Sequence, residues 1–66
     1  MTVAKVTEIT AESTESFEDA IRQGIERASE TLHGIRGAWV KEQKVRVESG
    51  KITSYRVDLK VTFVLD

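Results

Sequence analysis

The last stretch of the chain alternates in a way that leaves few folds open: Tyr55, Val57, Leu59, Val61, Phe63 and Leu65 are apolar, and Arg56, Asp58, Lys60, Thr62 and Val64 stand between them. A two-residue period sends successive side chains to opposite faces, so the run is a strand whose odd-numbered face needs a cover. The segment from Thr14 to His33 supplies one. Phe17, Ala20, Ile21, Gly24, Ile25, Ala28 and Leu32 recur there at three- and four-residue steps, which predicts a helix with one apolar stripe. Ser13 is expected to cap its first turn, with Glu15, Glu18 and Asp19 at the positive end of the helix dipole, and His33-Gly34 to end it. Glu18 with Arg22, and Arg22 with Glu26, are four-residue pairs worth about 0.2 to 0.5 kcal/mol each on the outer face.

Two further strands complete the sheet. Ala38 to Glu48 alternates less cleanly, with Trp39, Val45 and Val47 on one parity, and a hairpin through Ser49-Gly50 would join it to the final strand. Both runs carry their apolar residues at odd positions, and a plain two-residue loop would set odd against even. The pairing therefore predicts a three-residue loop or a bulge. Val3 to Thr10 is rich in β-branched residues and fits as a strand beside the last one. The expected fold class is α+β, in the order β-α-β-β: a three-stranded antiparallel sheet packed on one long amphipathic helix, with the last strand in the middle. The uncovered face would then hold Glu42, Lys44, Arg46, Arg56, Asp58 and Lys60 with Val40, Thr62 and Val64.

At 66 residues there is room for one small domain, residues 1–66, and one helix on three strands buries little. The chain has no cysteine, so no disulfide can compensate, and association between copies is the expected solution. Ten Lys+Arg against eleven Asp+Glu leave a net charge of -1, which excludes the broad positive field that nucleic acid or an anionic membrane would require. Met1 to Thr10 lacks an uninterrupted apolar stretch, and a cytoplasmic location is expected.

Few chemistries can be assembled from what remains. His33 is the only histidine and sits at the expected helix end, so zinc and copper ligand sets are missing and only oxygen donors remain for a hard cation. Glu42, Glu48 and Asp58 are the carboxylates that would meet such an ion at a symmetry axis. The four glycines are too scattered for a phosphate loop. Neither a serine-histidine-acid set nor a carboxylate pair in an apolar pocket can be built, and an enzyme is not expected.

The order of elements, together with Glu15-Ser16-Phe17-Glu18-Asp19-Ala20-Ile21, Ile25 to Leu32, Val40-Lys41-Glu42-Gln43, Gly50-Lys51-Ile52, Tyr55-Arg56-Val57 and Val61-Thr62-Phe63, resembles the dodecin family over essentially the whole chain. The resemblance implies a hollow homododecamer that stores or buffers flavin, riboflavin or FMN, stacked two rings at a time near twofold axes. Coenzyme A or a divalent cation is bound by some members. In the flavin binders a tryptophan stacks on the ring and a glutamine hydrogen-bonds to it. Here the first position falls on Gly37 and the second on Arg56, while Trp39 lies two residues later, a shift of about 6 to 7 Å along a strand. Trp39 is then either a displaced stacking platform or an aromatic anchor at a subunit contact or under the helix. Arg56 and Lys44 suit a phosphate-bearing flavin or another anion, and the alternative for Arg56 is a cross-strand pair with a carboxylate on the same sheet face, such as Glu42. Gly37, Trp39, Lys44 and Arg56 are the cofactor-binding positions this implies.

Overall fold

The computed structural model describes residues 2–65, so Met1 and Asp66 lie outside the described residues. The chain runs β1 (Val3–Ser13), α1 (Phe17–Ser29), β2 (Ile35–Glu48) and β3 (Lys51–Leu65). The strands form one antiparallel sheet in the order β1-β3-β2, with the most regularly alternating strand in the centre as expected. Each strand outruns its side-chain pattern. β1 continues from Thr10 to Ser13, β2 starts at Ile35 rather than Ala38, and β3 starts at Lys51 rather than Tyr55. Backbone pairing needs a neighbouring strand, not an alternating sequence, so the ladder persists where the pattern has faded.

The helix is shorter than its periodic stretch, and its cap is Ser16 rather than Ser13. Ser16 Oγ accepts from the Asp19 N–H at 2.9 Å. Ser13 instead ends β1, buried, where its Oγ accepts from the Glu15 N–H (2.9 Å) and donates to Asp19 Oδ2 (2.6 Å), tying the strand to the helix start. At the other end Thr31 and Leu32 both donate to the Ala28 carbonyl, and the chain leaves through Gly34 at φ 76°. That left-handed conformation suits glycine, and the Gly34 carbonyl accepts from the Val64 N–H at 3.0 Å, which sets β2 beside the end of β3.

The parity conflict in the hairpin is resolved by a tight turn plus a bulge. Ser49 (φ 51°) and Gly50 (φ 75°) make the two-residue turn, both in the left-handed region as a type I′ turn demands. Val47 faces Ile52, Thr53 is then skipped, and Arg46 faces Ser54, after which apolar Val45 lies opposite apolar Tyr55. A second irregularity reverses a sequence expectation. Glu42 faces Asp58, but Val40 faces Leu59, so Lys41 is the extra residue and the strand's two faces exchange beyond it. Val40, expected on the uncovered face, packs against the core; Trp39 turns to the open face opposite Lys60. A third shift at Arg36 brings Ile35 opposite Phe63 and back onto the core side.

The core is Val57, Leu59 and Val61 of β3 with Ala20 of α1, and Ile9, Ala11, Phe17, Ile21, Ile25, Ile35 and Val40 pack around them. Gly24 lets the helix come close: a Cβ there would lie 3.1 Å from Ala11 Cβ and 3.3 Å from Leu59 Cδ1. Thirteen helical residues span about 20 Å, whereas the fifteen of β3 span about 50 Å, so the helix cannot cover the sheet's length. Phe17, edge-on to Tyr55 at 5.1 Å, marks where cover stops. Beyond it the β2–β3 hairpin is a bare arm with Val45, Val47 and Ile52 exposed, and the molecule is 52 Å long but only 13 Å thick. Among the described residues no helix is long and apolar enough to cross a membrane.

Candidate functional site

The open face of the sheet collects nearly all the residues singled out from the sequence, and the register arranges them in rows. Across β2, β3 and β1, the first row is Trp39, Lys60 and Glu8; the second is Glu42, Asp58 and Thr10; the third is Lys44, Arg56 and Glu12. Gly37 lies just beyond the first row, opposite Thr62, with nothing within 4 Å of where its Cβ would be.

Charge alternates along this face and is partly neutralised within it. Lys41, the bulge residue, reaches across β3 to Glu8 (3.6 Å), and Lys60 approaches the same carboxylate (3.9 Å). Arg56 Nε lies 3.3 Å from Glu12 Oε1, so the arginine makes the cross-strand carboxylate pair expected of it, with Glu12 of β1 in place of Glu42 of β2. These are half-exposed pairs, worth at most about 1 kcal/mol each, but they draw the cations of the outer rows toward β1. The middle row is left anionic. Among the described residues neither Glu42 nor Asp58 has a cation within 4 Å, and Asp58 Oδ1 is shut off from solvent without a hydrogen-bond partner. Leaving a buried carboxylate oxygen unsatisfied is costly, and a cation is one of the few groups that would offset it.

The structure brings some of the expected residues together and separates others. Trp39 and Gly37 share the open face, and half of the Trp39 surface is exposed. Arg56 and Lys44 share that face too, but their row is four β3 positions from Lys60, about 13 Å away. One chain therefore offers an aromatic end and a cationic end and does not close them around a single ligand. Glu42 and Asp58 are direct neighbours, whereas Glu48 sits at the hairpin tip opposite Lys51, about 20 Å along the strand from Glu42. Glu8, Thr10, Glu12 and Lys41 were missed by the sequence reading. The first three follow from pairing the even positions of β1 with β3, a signal that was present; Lys41 could not be placed without knowing of the bulge.

A different concavity, of about 420 Å³, lies on the other side of the sheet's β1 edge, between Ile9 to Glu12 and the helix flank at Gln23, Gly24, Arg27, Ala28 and Thr31. It contains none of Gly37, Trp39, Lys44 and Arg56.

Comparison with known proteins agrees with this architecture. A protein-family model described as Dodecin matches residues 3–66. Calcium dodecin of Mycobacterium tuberculosis is 44% identical over 64 residues, 96% of this chain and 89% of that protein. Among solved structures, dodecin from Streptomyces davaonensis is 40% identical with a TM-score of 0.93, covering 98% of this chain and 96% of the other. The crystal structure of the Mycobacterium tuberculosis calcium dodecin has a TM-score of 0.83 at 40% identity, covering 97% and 91%. With the family match running almost from end to end and the β-α-β-β topology reproduced, the chain belongs to the dodecin family.

Proposed function

We propose that this chain is the subunit of a homo-oligomeric shell, a homododecamer as the family resemblance implies, whose cargo is a divalent cation held on the open sheet face. The observation that carries the reading is the orphaned Asp58 Oδ1 directly across from Glu42, in a row with no cation of its own. Hard oxygen donors are what calcium-like ions take, and they take six to eight of them. One chain falls short of that number, and among the described residues no three acidic, histidine or cysteine side chains gather at one place. Ligands from a neighbouring copy, or water, would complete the set, which makes binding a property of the assembly. The relative at 44% identity is named calcium dodecin, and its crystal structure is described as having a novel calcium-binding site.

Equilibrium dialysis of the assembled protein against calcium tests the reading. Saturable binding is expected, at least tenfold weaker in Asp58→Asn and unaffected in Glu48→Gln, whose carboxylate lies far from the row. Absence of saturable binding by the intact assembly would refute it.

Flavin is the second reading, favoured by the half-exposed Trp39 on the same face as Arg56 and Lys44. Two copies related by a twofold axis would bring the aromatic end of one near the cationic end of the other, the combination an FMN ring and phosphate would use. Quenching of riboflavin and FMN fluorescence decides it: a flavin shell quenches both at micromolar protein and loses this in Trp39→Ala, with Arg56→Gln weakening FMN more than riboflavin. Coenzyme A, also anionic and aromatic, enters the same assay as a competitor. In either case the chain binds and releases its cargo and performs no turnover.

A further inference from the structure

The row of Glu42 and Asp58 is bordered by cations that do not enter it, and what they pair with instead lies on one strand. On the open face β1 presents its even positions. The charged ones are Glu8 and Glu12, with uncharged Thr10 between them opposite Asp58, so the two glutamates stand one row to either side of the anionic one. Each takes up cations that have that row within reach. Lys60 and Arg56 are the same-face neighbours of Asp58 along β3, each about 7 Å away, within the span of a long basic side chain. Lys41 adjoins Glu42 in the chain. Yet Lys41 Nζ and Lys60 Nζ lie 3.6 and 3.9 Å from the two oxygens of Glu8, and Arg56 Nε lies 3.3 Å from Glu12.

Lys41 makes the point most clearly. It starts on β2 beside Glu42 and ends at β1, crossing β3 to a carboxylate two strands away while two others stand closer to its own backbone. Lys44, two positions from Glu42, is exposed and among the described residues pairs with neither carboxylate of the row. An ammonium seated between Glu42 and Asp58 would do for them what a divalent ion does, bringing positive charge to acceptors that lack a donor. It would also have to leave before a metal ion could enter. A site that is vacant only part of the time binds more weakly in proportion to that fraction.

We infer that Glu8, seconded by Glu12, is a positioning residue of the cation site: it acts through Lys41 and Lys60, holding them on β1 so that Glu42 and Asp58 stand vacant for a divalent ion. This rests on the cation reading above and adds what sets its affinity.

Calcium dialysis of assembled variants tests it, with the mass of each assembly checked by sedimentation. Glu8→Gln releases both lysines at nearly constant shape and should weaken calcium binding about five- to tenfold, the row then being vacant about a fifth to a tenth of the time. Glu12→Gln releases Arg56 alone and should weaken it less, about two- to threefold. Loss of a nearby negative charge would weaken binding without any lysine moving, so the deciding measurement is the coupling between sites. Lys41→Gln with Lys60→Gln should change affinity at most about twofold in the wild-type background, where both lysines are already held off, and should raise it about fivefold in Glu8→Gln. The same factor in both backgrounds, or undiminished binding by Glu8→Gln, overturns the inference. Glu12→Gln with Arg56→Gln forms a second cycle of the same design, which decides the matter should Glu8→Gln fail to assemble. Wild-type assembly without saturable calcium binding would instead remove the cation reading itself, so the two failures are distinguishable.

Discussion

Leu59 and Val47 are aliphatic residues of one hairpin, yet Leu59 is 1% exposed and Val47 56%. The difference lies in what stands over them. Beneath α1 the sheet is a conventional two-layer structure, closed by Ile21, Ile25 and Phe17; past Phe17 it is a two-stranded ribbon with no second layer. Two-stranded ribbons are marginal in water, so the arm's order depends on its continuity with the covered half and on whatever packs against it. Stability is concentrated at one end of a 52 Å molecule, and the surface available for contact at the other.

Paired truncations break or uphold that contrast. Leu59→Ala removes a side chain from the closed core and should cost about 2 to 5 kcal/mol in urea unfolding. Val47→Ala, measured on dissociated chains, should cost under about 0.5 kcal/mol, and a comparable loss at the two sites would mean the arm is not bare. Gly24→Ala probes the closeness of the helix: Ala11 Cβ is fixed to its backbone, so the added methyl must push the helix away, and a loss of about 1 to 2 kcal/mol is expected despite the better helix propensity. Ser16→Ala should lower stability by about 1 kcal/mol through loss of the cap. The smallest effect belongs to the arm, where Ser49→Asn should raise the unfolding midpoint by an amount equivalent to about 0.5 kcal/mol, because asparagine tolerates the left-handed turn position better than serine.

The covered half was the more legible of the two in sequence. Val57, Leu59 and Val61 alternate with charged residues because one face is dry and the other wet, and that contrast writes itself into composition. The helix stripe from Phe17 to Ala28 is visible for the same reason. Its cap was misplaced because Ser13 and Ser16 both precede acidic residues; only Ser16 has an acid three positions on, Asp19, the spacing that marks a capping box. The arm, exposed on both faces, leaves no such contrast. The bulge at Thr53 was foreshadowed by the parity of the two strands, but the one at Lys41, in the covered half, is a single supernumerary residue in a charged run and carries no mark. The face of Trp39 was illegible for that reason, and with it the layout of the candidate site: the anionic row of Glu42 and Asp58 shows only when the strands are laid side by side.

The supernumerary Lys41 also bears on how such a protein changes over evolutionary time. Deleting that one codon would turn the indole inward and send Val40, which packs beside Leu59, out to the open face. One supernumerary residue thus decides which β2 side chains face the open side and which, like Val40 and Ile35, pack on the core.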